Sequence, residues 1–201
     1  MIATANPNSL TSMDYSLFSQ INGLAGRSHL LDGMMIDVAK YSPVVYALAL
    51  VLLWLTWKPK NQRAAFLAGV SALVALGLGQ IVGHVFPRDR PYLAHHVSLL
   101  ITHSPDTSFP SDHATLAFAV AVVIWYFNRR AGATLLALGV VLAVARVFVG
   151  AHYPGDVIGG AVLGGATGLL LLRLSHAAPV RAALDQLFEL LGRWRLAAVD
   201  R

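Results

Sequence analysis

The stretch "FPSDHATLAFAVAVVIWYFN" (residues 109–128) decides how the chain is read. A polar trio, Ser111, Asp112 and His113, stands at the head of a run long and apolar enough to enter a bilayer. Ionisable groups at membrane depth are costly and mark functional sites. Two questions follow: whether the rest of the chain is membrane-embedded, and what joins the trio.

Composition answers the first. Apolar residues make up 56% of the 201 residues and charged residues 12%, where soluble domains carry about 25% charge. Mean hydropathy is +0.61. The length fits one domain. Without cysteine, disulfides and thiolate metal sites are excluded. Residues 1–12 ("MIATANPNSLTS") lack a basic start, so no cleavable signal peptide is expected. Candidate spans lie at about 43–57, 63–86, 113–128, 131–149 and 154–173, each near the length a bilayer requires. The first is short and extends backward, with Pro43 either starting it or kinking it. Their many glycines, as in "VIGGAVLGGATG", read as close helix packing. Residues 13–40 are amphipathic, with Asp14, Arg27, Asp32, Asp37 and Lys40 among apolar residues, and fit interfacial helices better than a sixth span. Residues 179–195, with Trp194 among Arg193 and Arg195, fit a surface helix. The expectation is an all-α polytopic membrane bundle of five to six spans with amphipathic terminal helices. It divides into an N-terminal segment (1–42), a core (43–175) and a tail (176–201).

Charge orients the bundle. Lys58, Lys60, Arg63, Arg129, Arg130, Arg173, Arg181, Arg193, Arg195 and Arg201 all fall at one set of span ends, ten of the fifteen basic residues. The positive-inside rule makes those ends cytoplasmic. The same placement attributes the net charge of +5 to the membrane rather than to nucleic acid. The opposite, outward ends then collect three polar stretches: "FPRDRPY" (86–92), "FPSDH" (109–113) and "RVFVGAHYPGD" (146–156).

That face gathers Arg88, Arg90 and Arg146 with His113 and His152. Arginine forks match phosphate oxygens. Ser111 suits an N-cap and Pro154 a first helical position, so two helix N-termini would turn their amides to the same anion. Asp156 can reach back to His152, fix its tautomer and leave one nitrogen as nucleophile or base. His113 can donate a proton to a leaving group. His95 and His96 lack a third metal ligand at a convincing spacing; they, His84 and His103 read as loop or interface residues. Tyr46, Trp54, Trp57 and Trp125 read as belt or packing aromatics.

"RP" at 90–91, "PSDH" at 110–113 and "R-x5-H-x3-D" at 146–156 resemble the three signature motifs of the type-2 phosphatidic acid phosphatase superfamily. In finer detail, "FPRDRPY" with "FPSDHA" resembles the bacitracin-resistance type of undecaprenyl-diphosphate phosphatase, over roughly residues 14–175. The resemblance implies a six-helix-type core and metal-independent hydrolysis without a cofactor. His152 would form a phosphohistidine, oriented by Asp156. His113 would serve as acid and then base. Arg90, Ser111 and Arg146 would bind phosphate, joined by Arg88 and Asp112. Three positions depart from the pattern: Gly83 stands where motif one starts with lysine, Asp112 where motif two has glycine, and Ala145 where motif three has serine.

The expected function is hydrolysis of a prenyl diphosphate, undecaprenyl diphosphate first, at the outer face of a bacterial inner membrane. Phosphatidate or phosphatidylglycerophosphate hydrolysis is the alternative on the same residues. A non-catalytic lipid transporter or scaffold would need the arginines but not His152. A vanadate-dependent oxidase fits the short, membrane-spanning chain poorly. No protein partner is required, with a homodimer left open.

Overall fold

The computed structural model describes residues 7–102 and 105–199. The expectations for residues 1–6, His103 and Arg201 fall outside them, as do those for the side chains of Arg193, Trp194 and Arg195. Eight helices occur among the described residues: α1 (Pro7–Asn22), α2 (His29–Leu55), α3 (Pro59–Val85), α4 (Pro91–Ala94), α5 (Asp112–Phe127), α6 (Arg129–Phe148), α7 (Pro154–Ser175) and α8 (Ala178–Val199). By length and composition α2, α3, α6 and α7 can cross a membrane, and α5 is a shorter apolar helix. Its 16 residues span about 24 Å at about 1.5 Å each, less than the roughly 30 Å hydrocarbon core.

The central helix is α5, packed between α3, α6 and α7. Glycine makes its contact with α7 possible. A Cβ on Gly160 would sit 2.5 Å from the Ser111 carbonyl oxygen, and one on Gly164 would sit 2.1 Å from that of Thr115. The two backbones therefore touch, as small-residue stripes permit in membranes. On α3, the buried Ala64, Ala68, Ser71, Ala72, Ala75 and Gly79 are likewise small. Asn128 ends α5 and caps α6, accepting a hydrogen bond from Ala131 N–H at 3.1 Å.

The N-terminal third differs from expectation. Residues 29–40 do not lie apart as an interfacial helix. They are the first half of α2, which Ser28 caps and which runs through Pro43, so the boundary set at 42/43 falls inside a helix. Leu31, Met35, Ile36 and Val38 bury their apolar side against Ala145, Phe148, Val149 and Ala151; the amphipathic pattern is spent on protein. The N–H missing at Pro43 leaves local carbonyls short of donors, and the Ser42 hydroxyl donates to Val38 O at 2.6 Å. Further along α2, Tyr46 is buried and donates to Leu135 O at 2.7 Å, a packing aromatic.

The short helix α1 caps the bundle where α6 ends and α7 begins. Phe18 is buried against Val147, Tyr153 and Val157. The Asn22 amide donates to Ser98 O (2.9 Å) and Phe148 O (2.8 Å) and accepts from Ser98 N–H (3.0 Å). At the opposite end α8 folds back through an Arg63–Asp185 ion pair and the edge-on contact of Phe66 with Phe188.

Candidate active site

Three chain segments meet under α1: the 86–91 loop after α3, the 105–111 segment before α5, and the α6–α7 turn. Backbone bonds lock them together. Ser108 N–H donates to Arg88 O (2.8 Å), Ser111 N–H to Asp156 O (3.0 Å) and Leu100 N–H to Val149 O (3.1 Å). His152, Asp156, Arg90, Arg146, Ser108 and Ser111 are all buried at this junction.

The His152 ring is held at both nitrogens. Nδ1 lies 2.9 Å from the Ser108 carbonyl oxygen, an acceptor only, so Nδ1 carries the proton. Nε2 therefore presents its lone pair, and Arg90 Nη1 donates to it at 3.1 Å. The expected Asp156–imidazole hydrogen bond is not made directly: Asp156 Oδ2 stands 3.7 Å from Nδ1, an ion-pair distance. Asp156 is itself fixed by Ser108 Oγ (2.5 Å), Tyr153 N–H (2.9 Å) and Arg88 Nη1 (2.8 Å). Burial pushes the His152 imidazole down to about 4; Asp156 opposes that shift, and Arg146 and Arg90 reinforce it. The ring is thus neutral throughout the physiological range.

Around Nε2 the polar groups divide into satisfied and unsatisfied. Arg90 is satisfied: Nε and Nη2 pair with Asp106 Oδ1 at 2.8 Å, and Nη1 reaches Ala151 O (3.0 Å) as well as His152. Arg146 is not. It is 2% exposed, yet its Nε and Nη2 have no hydrogen-bond partner. Ser111 is at the N-cap of α5 but makes no capping bond, and its fully buried hydroxyl is also unpartnered. Buried polar groups are rarely left unpaired without a reason. Two buried, unpartnered polar side chains, one of them cationic, have the chemistry that suits an anion. A cleft opens from here between α2 and the 100–102 segment, lined by Arg146, His113, Lys40, Ile36, Leu100 and Ile101.

Two expected phosphate ligands are placed elsewhere. Arg88 spends one arm on Asp156 and the other on Asp14 (2.5 Å), with its plane 4.0 Å above the Tyr153 ring. Burial disfavours its charge, but the two carboxylates outweigh that and raise its pKa further. Asp112 turns to α3 and accepts from Gln80 Nε2 at 3.2 and 3.3 Å. The glycine at the motif-one lysine position has a steric cause. A Cβ on Gly83 would meet Thr107 Cγ2 at 2.8 Å and Phe109 O at 3.1 Å, so the segment before α5 occupies the space of any side chain.

Sequence reasoning missed Ser108, Asp106, Lys40 and Asp14. Asp14 left one signal, being the only charged residue between positions 7 and 22. His95 packs on Tyr15, ring centres 4.0 Å apart, a structural role. Among the described residues no three His, Cys, Asp or Glu side chains are grouped to hold a metal ion.

Comparison with known proteins agrees with this geometry. The chain is 36% identical over 163 residues to undecaprenyl-diphosphatase BcrC of Bacillus subtilis, covering 81% of this chain and 84% of that one. It is 32% identical over 183 residues to the bacitracin transport permease protein BcrC of Bacillus licheniformis, covering 90% and 89%. The crystal structure of Aquifex aeolicus LpxE superposes with a TM-score of 0.63 at 25% identity, over 86% of this chain and 99% of that one. The PAP2 superfamily pattern matches residues 64–179, more than half of the chain and all three polar stretches. The bundle has the fold of a membrane phosphatase, and the chain belongs to the PAP2 superfamily.

Proposed function

We propose that the protein hydrolyses a prenyl diphosphate, undecaprenyl diphosphate first, to the monophosphate and inorganic phosphate. The reaction takes place on the outer side of a bacterial inner membrane and serves carrier-lipid recycling for cell-wall synthesis and bacitracin resistance. The observation that carries the reading is the buried, unpartnered fork of Arg146 beside a histidine whose Nε2 lone pair is presented. The names of the relatives support the substrate. The outward orientation rests on the basic residues gathered at the opposite helix ends.

His152 Nε2 attacks the terminal phosphorus. The N–P bond forms as the bridging P–O bond breaks, and the prenyl phosphate departs with a proton from His113. Arg146 and Ser111 hold the equatorial oxygens, joined by the Arg90 Nη1 hydrogen that is released from Nε2 when that lone pair bonds phosphorus, and together they offset the charge of the transition state. Asp156 faces the imidazolium side of the phosphohistidine. Water then attacks phosphorus, His113 accepts its proton, and phosphate leaves with His152 restored. A prenyl diphosphate needs cations beside an apolar surface. The cleft supplies both, with Lys40 as a further charge next to Ile36, Leu100 and Ile101. Lys40 thereby compensates for the lysine that Gly83 excludes.

The test is phosphate release by purified protein in chelator from undecaprenyl diphosphate, phosphatidate and phosphatidylglycerophosphate. The diphosphate is expected to be cleaved fastest, and His152→Ala to abolish turnover while lipid still binds. Faster cleavage of the diglyceride phosphates would overturn the substrate. Unchanged release by His152→Ala would overturn the phosphohistidine, and no release from any of the three lipids by the unaltered protein would favour the transporter that one relative's name describes.

A further inference from the structure

We infer that Asp14, on the capping helix α1, is a positioning residue of the active site, acting on His152 through Arg88 and Asp156. The inference rests on the catalytic reading above.

Both carboxylate oxygens of Asp14 are engaged. Its side chain is 15% exposed. Oδ1 accepts from Gly155 N–H at 2.8 Å, in the first turn of α7 and next to Asp156. Oδ2 accepts from Arg88 Nη2 at 2.5 Å. The other arm of Arg88 reaches Asp156 Oδ1 at 2.8 Å. The three residues form a continuous carboxylate–guanidinium–carboxylate chain, packed on the face of Tyr153. Its anchor does not wander, because Phe18 is buried edge-on against Tyr153 (5.4 Å) and Asn22 ties the end of α1 to Ser98 and Phe148.

Charge explains why two carboxylates are needed. Arg88 holds Asp156 in place, but a one-to-one ion pair would cancel the negative charge that the phosphohistidine, a cation at the ring, requires nearby. With Asp14 on its other arm, the chain carries a net charge of −1. Arg88 can then orient Asp156 without neutralising it. Asp14 also supplies a negative charge and an acceptor to the N-terminus of α7, where the amides and dipole favour both. In the catalytic reading above, none of these atoms is a phosphate ligand. The expected signature is therefore in turnover rather than in substrate binding.

The variants Asp14→Asn and Asp14→Glu separate charge from shape. They are compared with the unaltered protein on whichever lipid phosphate ester it cleaves, by kcat, KM and thermal stability in detergent. Asp14→Asn is expected to lower kcat by about 10- to 100-fold, the usual cost of removing an outer-shell partner. KM should stay within about threefold, as expected when only transition-state stabilisation is lost. Asp14→Glu, which keeps the charge, should recover most of the loss. An unchanged kcat in Asp14→Asn overturns the inference. Equal losses in Asp14→Asn and Asp14→Glu with matching losses of stability also overturn it, leaving a structural strut. If the ester cleaved is phosphatidate rather than the prenyl diphosphate, the substrate assignment fails, and the kcat comparison decides Asp14 independently.

Discussion

Arg146 is where stability and function should pull in opposite directions. Its guanidinium is buried, with two donors unpartnered and no carboxylate within ion-pair distance among the described residues. A buried charge without a partner is destabilising, and an apolar replacement of similar size is commonly neutral or stabilising by about 1–4 kcal/mol. Arg146→Met should therefore raise the melting temperature, by about 2–4 °C for each kcal/mol in a chain of this size. The same change removes both donors from the phosphate. Charge-assisted hydrogen bonds contribute about 1.5–3 kcal/mol each, so the pair represents about 3–6 kcal/mol of transition-state stabilisation. At about 1.4 kcal/mol per decade, kcat/KM should fall by about 10²- to 10⁴-fold. Saturating orthophosphate supplies a cross-check. Ligand at a hundred times its Kd stabilises by about 2.7 kcal/mol, so phosphate should raise the melting temperature of the unaltered protein and not that of Arg146→Met. Arg146→Lys retains charge without the fork and should fall between the two in kcat/KM. The assays are thermal unfolding in detergent, with and without phosphate, and initial-rate kinetics. If Arg146→Met kept kcat/KM within tenfold, or lost stability while keeping its response to phosphate, the assignment of Arg146 to an anion site would be wrong.

Three further outcomes follow from other parts of the molecule. His152, depressed to about 4, stays neutral as pH falls from 8 to 5, where an exposed histidine would charge near about 6.5. ¹⁵N-histidine spectra, assigned with His152→Gln, should show one ring that does not titrate in that window, and a midpoint near 6.5 would contradict the burial argument. The sign for stability is fixed by the same shift: the unfolded chain takes up the proton first, so stability present above about 6.5 is lost as pH falls towards about 4. Gly164→Ala places a Cβ 2.1 Å from the Thr115 carbonyl oxygen and should cost about 1–3 kcal/mol or more by overpacking, read as a lower melting temperature; an unaltered melting curve would mean that α5 and α7 do not touch there. Lys40→Gln should raise KM for the prenyl diphosphate by about 10- to 150-fold, one charge-assisted contact, and leave phosphatidate nearly unaffected; equal effects on both would deny Lys40 a role in reading the second phosphate.

Helices and site ends were legible because hydrophobic length and charge asymmetry act locally. The apolar runs from 131–149 and 154–173 became α6 and α7 within two residues of their expected bounds, and three polar stretches had only one end of the bundle to occupy. The N-terminal segment is legible only in part: the first span does extend backward past Pro43, but its start at His29 is hidden for an equally physical reason. A helix side that faces protein and one that faces the membrane surface give the same amphipathic pattern, and only the buried Ala39 and its neighbours against Phe148 tell them apart. Pro43 inside α2 is one of the two places the sequence allowed it, within a longer helix rather than at its start.

At the site, residue type fixed capability but not allocation. Arg88, Arg90 and Arg146 are indistinguishable as sequence, three forks able to grip phosphate. The structure distinguishes them by what else they touch. Arg88 is claimed by Asp14 and Asp156, Arg90 is shared between Asp106 and the nucleophile, and Arg146 alone keeps its donors open. The partner that decides Arg88 lies 74 residues away on a different helix, beyond any spacing rule. The same holds for Ser108, which sets the His152 tautomer through its carbonyl. A backbone acceptor leaves no trace in residue identity, so Ser108→Ala should leave the tautomer intact while removing only the hydroxyl that steadies Asp156. What a motif encodes is the inventory of charges at one membrane face; which of them remains free for substrate is decided by the residues that bind the others.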